Sequence, residues 1–220
     1  QQANVKSAAE LAQKLGLPAD TPAPPNAVLL DGAKTKIAEA EAAFLRGEFD
    51  LARASASEAK KLLATLPAES VFDERVLASL WYAASLQQTD AKAAQLEIRE
   101  LLNDVDPKPR VSVDVFPPDF VGFVETERLA VKTASVKLTD LPAAAQIWVN
   151  GRKVSSNPFS VVLHPANKPN VVTVRAQGYR TAVLTLPLTP PPSTRVPLAL
   201  ALTPEYDAAV RAAFAGKSDE

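Results

Sequence analysis

The sequence predicts an α+β chain of two domains: antiparallel helical hairpins, then a small antiparallel β-sandwich, with a C-terminal helix. Three observations predict it. Apolar residues recur at three- and four-residue spacing from about Asp31 to Asp106. Short runs rich in Val, Leu and Thr, most of them alternating with period two, then fill residues 135–202 between Pro, Asn and Gly breaks. Charge changes at the same boundary. Residues 1–133 carry fifteen bases and twenty acids, residues 134–203 seven bases and one acid, and residues 204–220 are net −2. Four segments follow: an arm over 1–30, helices over 31–133, strands over 134–203 and a helical tail over 204–220.

Composition sets the class. The 220 residues are 47% hydrophobic and 22% charged, too apolar for a disordered chain. With no Cys and one His, every Cys/His zinc site, disulfide framework and thiol nucleophile is excluded. The longest uncharged runs, such as Val76 to Thr89 and Val154 to Asn167, are short and carry polar residues, so no transmembrane segment is expected. A chain opening Gln1-Gln2-Ala3 has been processed or trimmed, and removal of a secretory signal is the simplest reading. The expected location is therefore the periplasm or cell surface after signal-peptide removal.

The elements follow in order. Residues 5–16 read as a short helix ended by Gly16, and Leu17 to Pro25 as an extended, polyproline-like spacer. Ile37, Ala40, Ala43 and Phe44 form one helical stripe, Leu51, Ala52, Ala59, Leu62 and Leu63 a second, and Gly47 separates them. Val76, Leu77, Leu80, Trp81 and Ala84 begin a second hairpin, completed by Ala91, Ala94, Ile98, Leu101 and Leu102. Pro67 and Pro107 close the hairpins forty residues apart, and Asp50 and Asp90 share that spacing, which reads as an internal repeat. Two hairpins need a cap. Pro118 to Leu129 is one candidate, with Pro in its first turn; the helix opened by Thr203-Pro204-Glu205 is the other, with Tyr206, Val210 and Phe214 on one face.

Six strands are expected: 135–141, 146–149, 159–163, 171–176, 181–186 and 195–202. Asn150-Gly151 is a hairpin signal, because both residues tolerate the positive φ of a type I′ turn. Six strands in about seventy residues with no helix between them imply a sandwich.

Two stretches carry a resemblance. Phe44, Gly47, Phe49, Ala52 and Ala59 resemble the tetratricopeptide pattern, and Trp81, Tyr82, Ala94 and Leu101 follow it in part, so both hairpins are TPR-like. Residues 135–203 resemble the PEGA family through Leu141-Pro142, Ile147-Trp148-Val149-Asn150-Gly151, Asn157-Pro158-Phe159 and Val172 to Tyr179. The sequence departs from that family at Pro142-Ala143-Ala144-Ala145, where Pro-Glu-Gly-Ala is usual, and at Ala166 to Pro169, often a Gly turn. The combination implies an accessory protein of the bacterial envelope.

Chemistry-bearing motifs are few. Glycines at 16, 32, 47, 122, 151, 178 and 216 supply no phosphate loop, dinucleotide fingerprint or nucleophile elbow. His164 stands before Pro165 with no carboxylate near it in sequence, and reads as structural. Asp104, Asp106 and Asp114 lack an EF-hand's remaining ligand and Gly, since Pro107 and Lys108 occupy that space. No enzymatic activity, cofactor or metal is expected.

Binding is the expected activity, and the residues singled out for it are Trp81, Tyr82, Arg152, Lys153, Arg175, Arg180, Tyr206 and Phe214. Trp81 and Tyr82 point about 100° apart on one helix, so one serves the core while the other lines a groove. That groove either takes a peptide or is filled by the chain's own C-terminal helix, the latter slightly favoured. Trp148, flanked by alternating neighbours, reads as an inward core residue. The basic strands attract anions or face the acidic helices. The expected partners are proteins of a pilus, motility, secretion or other envelope assembly; binding of anionic polysaccharide or peptidoglycan is one alternative, and a non-catalytic domain of an envelope enzyme is another. Nucleic acid is not expected, because the basic strands lack interleaved aromatics.

Overall fold

The computed structural model describes residues 26–142, 144–163, 169–187, 190–191 and 193–215. The expected helix at 5–16, the Pro-rich spacer and His164 lie outside the described residues. The first helix, α1 (Ala27–Leu45), starts ahead of Asp31 because the Asn26 side chain accepts from the backbone N–H of Val28 and Leu29, at 3.1 and 3.4 Å. It ends where Gly47, at φ 76°, lets the Gly47 N–H reach the Phe44 carbonyl and the Glu48 N–H reach Ala43. Those paired bonds are a Schellman closure, and they turn the chain into α2 (Phe49–Ala64).

A 3-10 turn (Ala68–Ser70) leads into α3 (Phe72–Gln87), and Asp90 caps α4 (Ala91–Glu100) through the Lys92 and Ala93 N–H groups. A π turn (Leu101–Val105) ends this second hairpin. The hairpin recurs, but its residues do not. Asp90 is a cap, whereas Asp50 lies inside the first turn of α2 and pairs with Arg53 at 2.8 Å.

Aromatic rings run through the helical core. Phe49, Phe44, Trp81, Phe116 and Phe120 follow one another at centroid separations of 5.4, 5.4, 4.4 and 5.4 Å. The last two introduce α5 (Pro118–Leu129), whose Phe120 and Val124 are fully buried in the same core. This helix caps the hairpins. Glu127 clasps it to α4, accepting from Gln95 and, at 2.7 Å, from Arg99. Burial alone would raise the Glu127 carboxyl. The two hydrogen bonds and the Arg99 charge outweigh burial and hold it below the ordinary carboxylate value.

The described residues of the β region form seven strands: β1 (Thr133–Thr139), β2 (Gln146–Val149), β3 (Arg152–Val154), β4 (Phe159–Val162), β5 (Val171–Arg175), β6 (Ala182–Thr185) and β7 (Ser193–Pro197). They form a three-stranded sheet, β4-β1-β7, and a four-stranded sheet, β3-β2-β5-β6. Sequence pattern missed β3, a three-residue return of the Asn150-Gly151 hairpin too short to show alternation. One pairing departs from the antiparallel plan. β1 and β7 run parallel, because the chain crosses between sheets after β6.

Val136, Leu138, Phe159 and Val161 of one sheet meet Ile147, Val149, Val172 and Val174 of the other in a second, separate core. Two asparagines tie its loops. Asn157 donates to the Leu138 carbonyl and accepts from its N–H, extending the β1–β4 ladder past Pro158. Fully buried Asn170 donates to the Val162 carbonyl at 2.8 Å and accepts from Asn150, joining the two sheets.

The last helix, α6 (Pro204–Ala215), corrects an expectation. It does not fill a groove between the hairpins. Its Tyr206, 2% exposed, packs on the β5–β6 turn, with its ring 6.3 Å from that of Tyr179. A Cβ on Gly178, at φ 81°, would come within 3.0 Å of that ring, so only glycine allows the close approach. The Arg180 N–H to Ala201 carbonyl and Thr203 N–H to Gly178 carbonyl bonds, 2.8 and 3.0 Å, hold the segment before α6 against the same turn.

Two outcomes are expected. Trp81→Ala should cost about 3–5 kcal/mol in denaturant unfolding, the usual cost of emptying an aromatic core site; a cost below about 1 kcal/mol would contradict the packed ring series. For Glu127 the folded-state pKa is depressed, so its contribution is present above the ordinary carboxylate value and is lost as pH falls through the folded value. Unfolding curves from about pH 6 to about pH 3 should therefore show a steeper acid loss in the native chain than in Glu127→Gln.

Candidate functional site

The sandwich docks on the helices through its Asn150-Gly151 turn. Asn150 at φ 52° and Gly151 at φ 90° form the left-handed turn that their sequence predicted. A Cβ on Gly151 would lie 2.9 Å from the backbone carbonyl of Ala68, in the 3-10 turn, so bare glycine backbone makes this contact. Two ion pairs flank it. Arg152 donates to Asp106 at 3.0 Å, and Arg175 to Glu69 at 3.3 Å. Asp106 also accepts the Lys108 N–H at 2.9 Å, and its side chain is 9% exposed. Glu69 and Arg175 are 17% and 15% exposed. Removing one partner leaves a desolvated polar group, at a cost of about 1–3 kcal/mol.

Beside this contact the two domains enclose a cleft of about 710 Å³. Its helical wall is Phe72, Val76, Leu77 and Leu80 of α3, and its other wall is Trp148 of β2. Trp148 thus corrects the expectation of an inward residue. In Gln146–Val149 alternation permits either Ile147 and Val149 or Trp148 to face the core, and the smaller pair faces it. Trp148 lies instead in a row across the outer face, paired in register with Lys153 on one side and Thr173 on the other. Lys153 Nζ stands 5.6 Å and the Arg175 guanidinium 5.0 Å from its ring centroid, both within cation–π range.

Charge on the rim is unequal. Glu69 and Asp106 are spent on Arg175 and Arg152, while Lys108, Arg110 and Lys153 are exposed with Asp73 as the remaining acid. The basic sandwich therefore faces its acidic helices at two arginines and still leaves the cleft positive. Lys108 and Arg110, alternating with Pro107 and Pro109, were not among the residues singled out for binding from the sequence. Their placement depends on the π turn that aims this segment at the β domain.

The other expected site residues separate. Trp81 is fully buried and supports the wall from behind; it does not line a surface. Tyr82 is half-buried on another face, its ring 4.8 Å from Lys60 Nζ, which also pairs with Glu97. Tyr206 is likewise buried, against the sandwich, and its phenol is pushed above its ordinary value by burial and by the nearby Tyr179. Arg180 is exposed beyond the β5–β6 turn and is not among the residues that line the cleft. The backbone of Phe214 continues α6, and its side chain lies outside the described residues. Among the described residues no three His, Asp or Glu side chains gather as ion ligands, so Asp104, Asp106 and Asp114 do not form a common site.

No helix among the described residues is long and apolar enough to cross a membrane. Compared with known proteins, the chain matches no family model, no curated protein and no solved structure.

Gly151→Ala tests the docking contact. The added methyl should wedge the turn from Ala68, raise the radius of gyration in small-angle scattering and cost about 1–3 kcal/mol of stability. An unchanged radius and stability would mean that the contact does not hold the domains.

Proposed function

We propose that this chain is a non-catalytic accessory or scaffold subunit of the bacterial cell envelope, holding a segment of a partner protein between its TPR-like hairpins and its PEGA-like sandwich. The observation that carries this reading is the cleft itself. Its walls come from both domains, and its size falls in the range of small-molecule and side-chain binding sites. Docking through a bare glycine turn and two partly buried ion pairs gives that recess a fixed shape, which reduces the ordering cost of binding. The envelope location rests on the PEGA-like motifs. Assemblies such as pili, motility and secretion machines need subunits of this kind.

A second reading has its own observation. On the outer face of the three-stranded sheet Lys137 and Arg195 are exposed and directly paired in register, a juxtaposition of like charges that an anion would relieve. Anionic polysaccharide or peptidoglycan suits that face.

Photo-crosslinking separates the two. A photoreactive amino acid at Leu77, inside the cleft, should give a discrete protein adduct in envelope fractions of the native host, absent when it replaces exposed Leu129. Adducts at neither position, together with sacculus binding abolished by Lys137→Glu/Arg195→Glu, would replace the scaffold reading with the polysaccharide one.

A further inference from the structure

We infer that the interdomain cleft selects an acidic peptide segment carrying an aliphatic or aromatic anchor, a statement of partner chemistry that rests on the protein-binding reading above. The two halves of that specificity lie on different walls. Phe72 and Leu77, half-buried, with buried Val76 and Leu80 behind them, offer an apolar surface to one anchor side chain. Lys108 and Arg110 on the loop after the π turn, and Lys153 on β3, offer three exposed cations around it. Asp73 is the rim acid not engaged by Arg152 or Arg175, so carboxylates gain at this rim and cations do not.

Saccharides share the anionic chemistry, and the lining argues against them. A sugar hydroxyl donates and accepts at once, a pairing that neutral amide and hydroxyl side chains match in one group and that Lys and Arg, donors only, do not. Among the described residues that line the cleft there is no Asn, Gln, Ser, Thr or Tyr. An indole platform for a sugar ring must also have a free face. Trp148 has the Arg175 guanidinium over its ring, held there by the ion pair with Glu69, and Lys153 as a second cation nearby. Trp148 thus acts as the anchor for a cationic array, and the Lys153 ammonium, held by the Gln146 side-chain oxygen at 3.0 Å and by the indole face and paired with no carboxylate among the described residues, can turn to one. Burying one apolar side chain against α3 contributes about 1.5–3 kcal/mol. The rim pairs add on-rate and selectivity, and weaken with salt.

A peptide array tests this with the full chain as the analyte. It carries hexapeptides with zero to four Asp or Glu around a central Leu, Phe, Ser or Lys, and size-graded polygalacturonate fragments are the saccharide probe. Expected are peptides combining two or more acids with Leu or Phe. Their binding should fall at least tenfold between low and high salt, and at least tenfold in both Lys108→Glu/Arg110→Glu and Leu77→Ser. Lys153→Glu, at an exposed position on another element, repeats the charge test independently, and unchanged thermal unfolding confirms that each variant is folded. Selection of neutral or basic peptides, or binding indifferent to all three variants, would overturn the inference. So would polygalacturonate binding at the cleft without any peptide. Failure of the array while the Leu77 protein adduct still forms rejects the acidic-anchor chemistry alone; loss of that adduct rejects the protein-binding reading itself.

Discussion

The contact of the Asn150-Gly151 turn with Ala68 is the constraint on which the arrangement of the two domains, and the cleft between them, depends. Each domain has its own apolar core, and those cores do not merge. Their relation is fixed by one turn of left-handed backbone and by the ion pairs Arg152–Asp106 and Arg175–Glu69 on either side of it. A larger residue at Gly151 would separate the surfaces. Without the pairs, four charged groups would face one another with less water than they need. Because the contact is small and polar, it leaves a cleft beside it and brings Trp148 opposite α3.

The same geometry divides the basic residues of the sandwich into two uses. Arg152 and Arg175 neutralise acids of the helical domain and order the interface, whereas Lys153, Lys137 and Arg195 remain exposed. A near-zero net charge is thus the sum of separate surfaces, and the positive rim of the cleft exists only because its nearest carboxylates are already paired. Trp148 depends on this division too. Its ring lies against cations whose positions the interface sets.

Away from the interface, stability comes from local devices that are independent of it. The ring series from Phe49 to Phe120 joins the two hairpins to their capping helix, and Glu127 fastens that helix to α4. In the sandwich, buried Asn170 bridges the sheets, while Tyr206 seals the β5–β6 turn. The walls of the cleft consequently lie on helical and strand elements whose side chains are held from behind, with buried Trp81 and Leu80 supporting the α3 wall.

Sequence alone determined the class and order of elements, because these follow from local periodicity and turn chemistry: the helical stripes of Ile37 to Leu63, the Gly47 break, the capping helix at Pro118 and the hairpin at Asn150-Gly151. Arg152, Lys153 and Arg175 were likewise singled out from charge alone, and the structure brings them together where the two domains meet. Tertiary structure decided which side of a short strand faces inward, and so placed Trp148 outside; in four residues the period of two fits either choice, and only packing against the second sheet selects one. It also placed Trp81 and Tyr206 in cores, ran β7 parallel to β1, and set Phe72, Leu77, Lys108 and Arg110 around one recess. Those residues are separated along the chain from Trp148 and Lys153, and what unites them is long-range contact energy, which has no period for a local pattern to reveal.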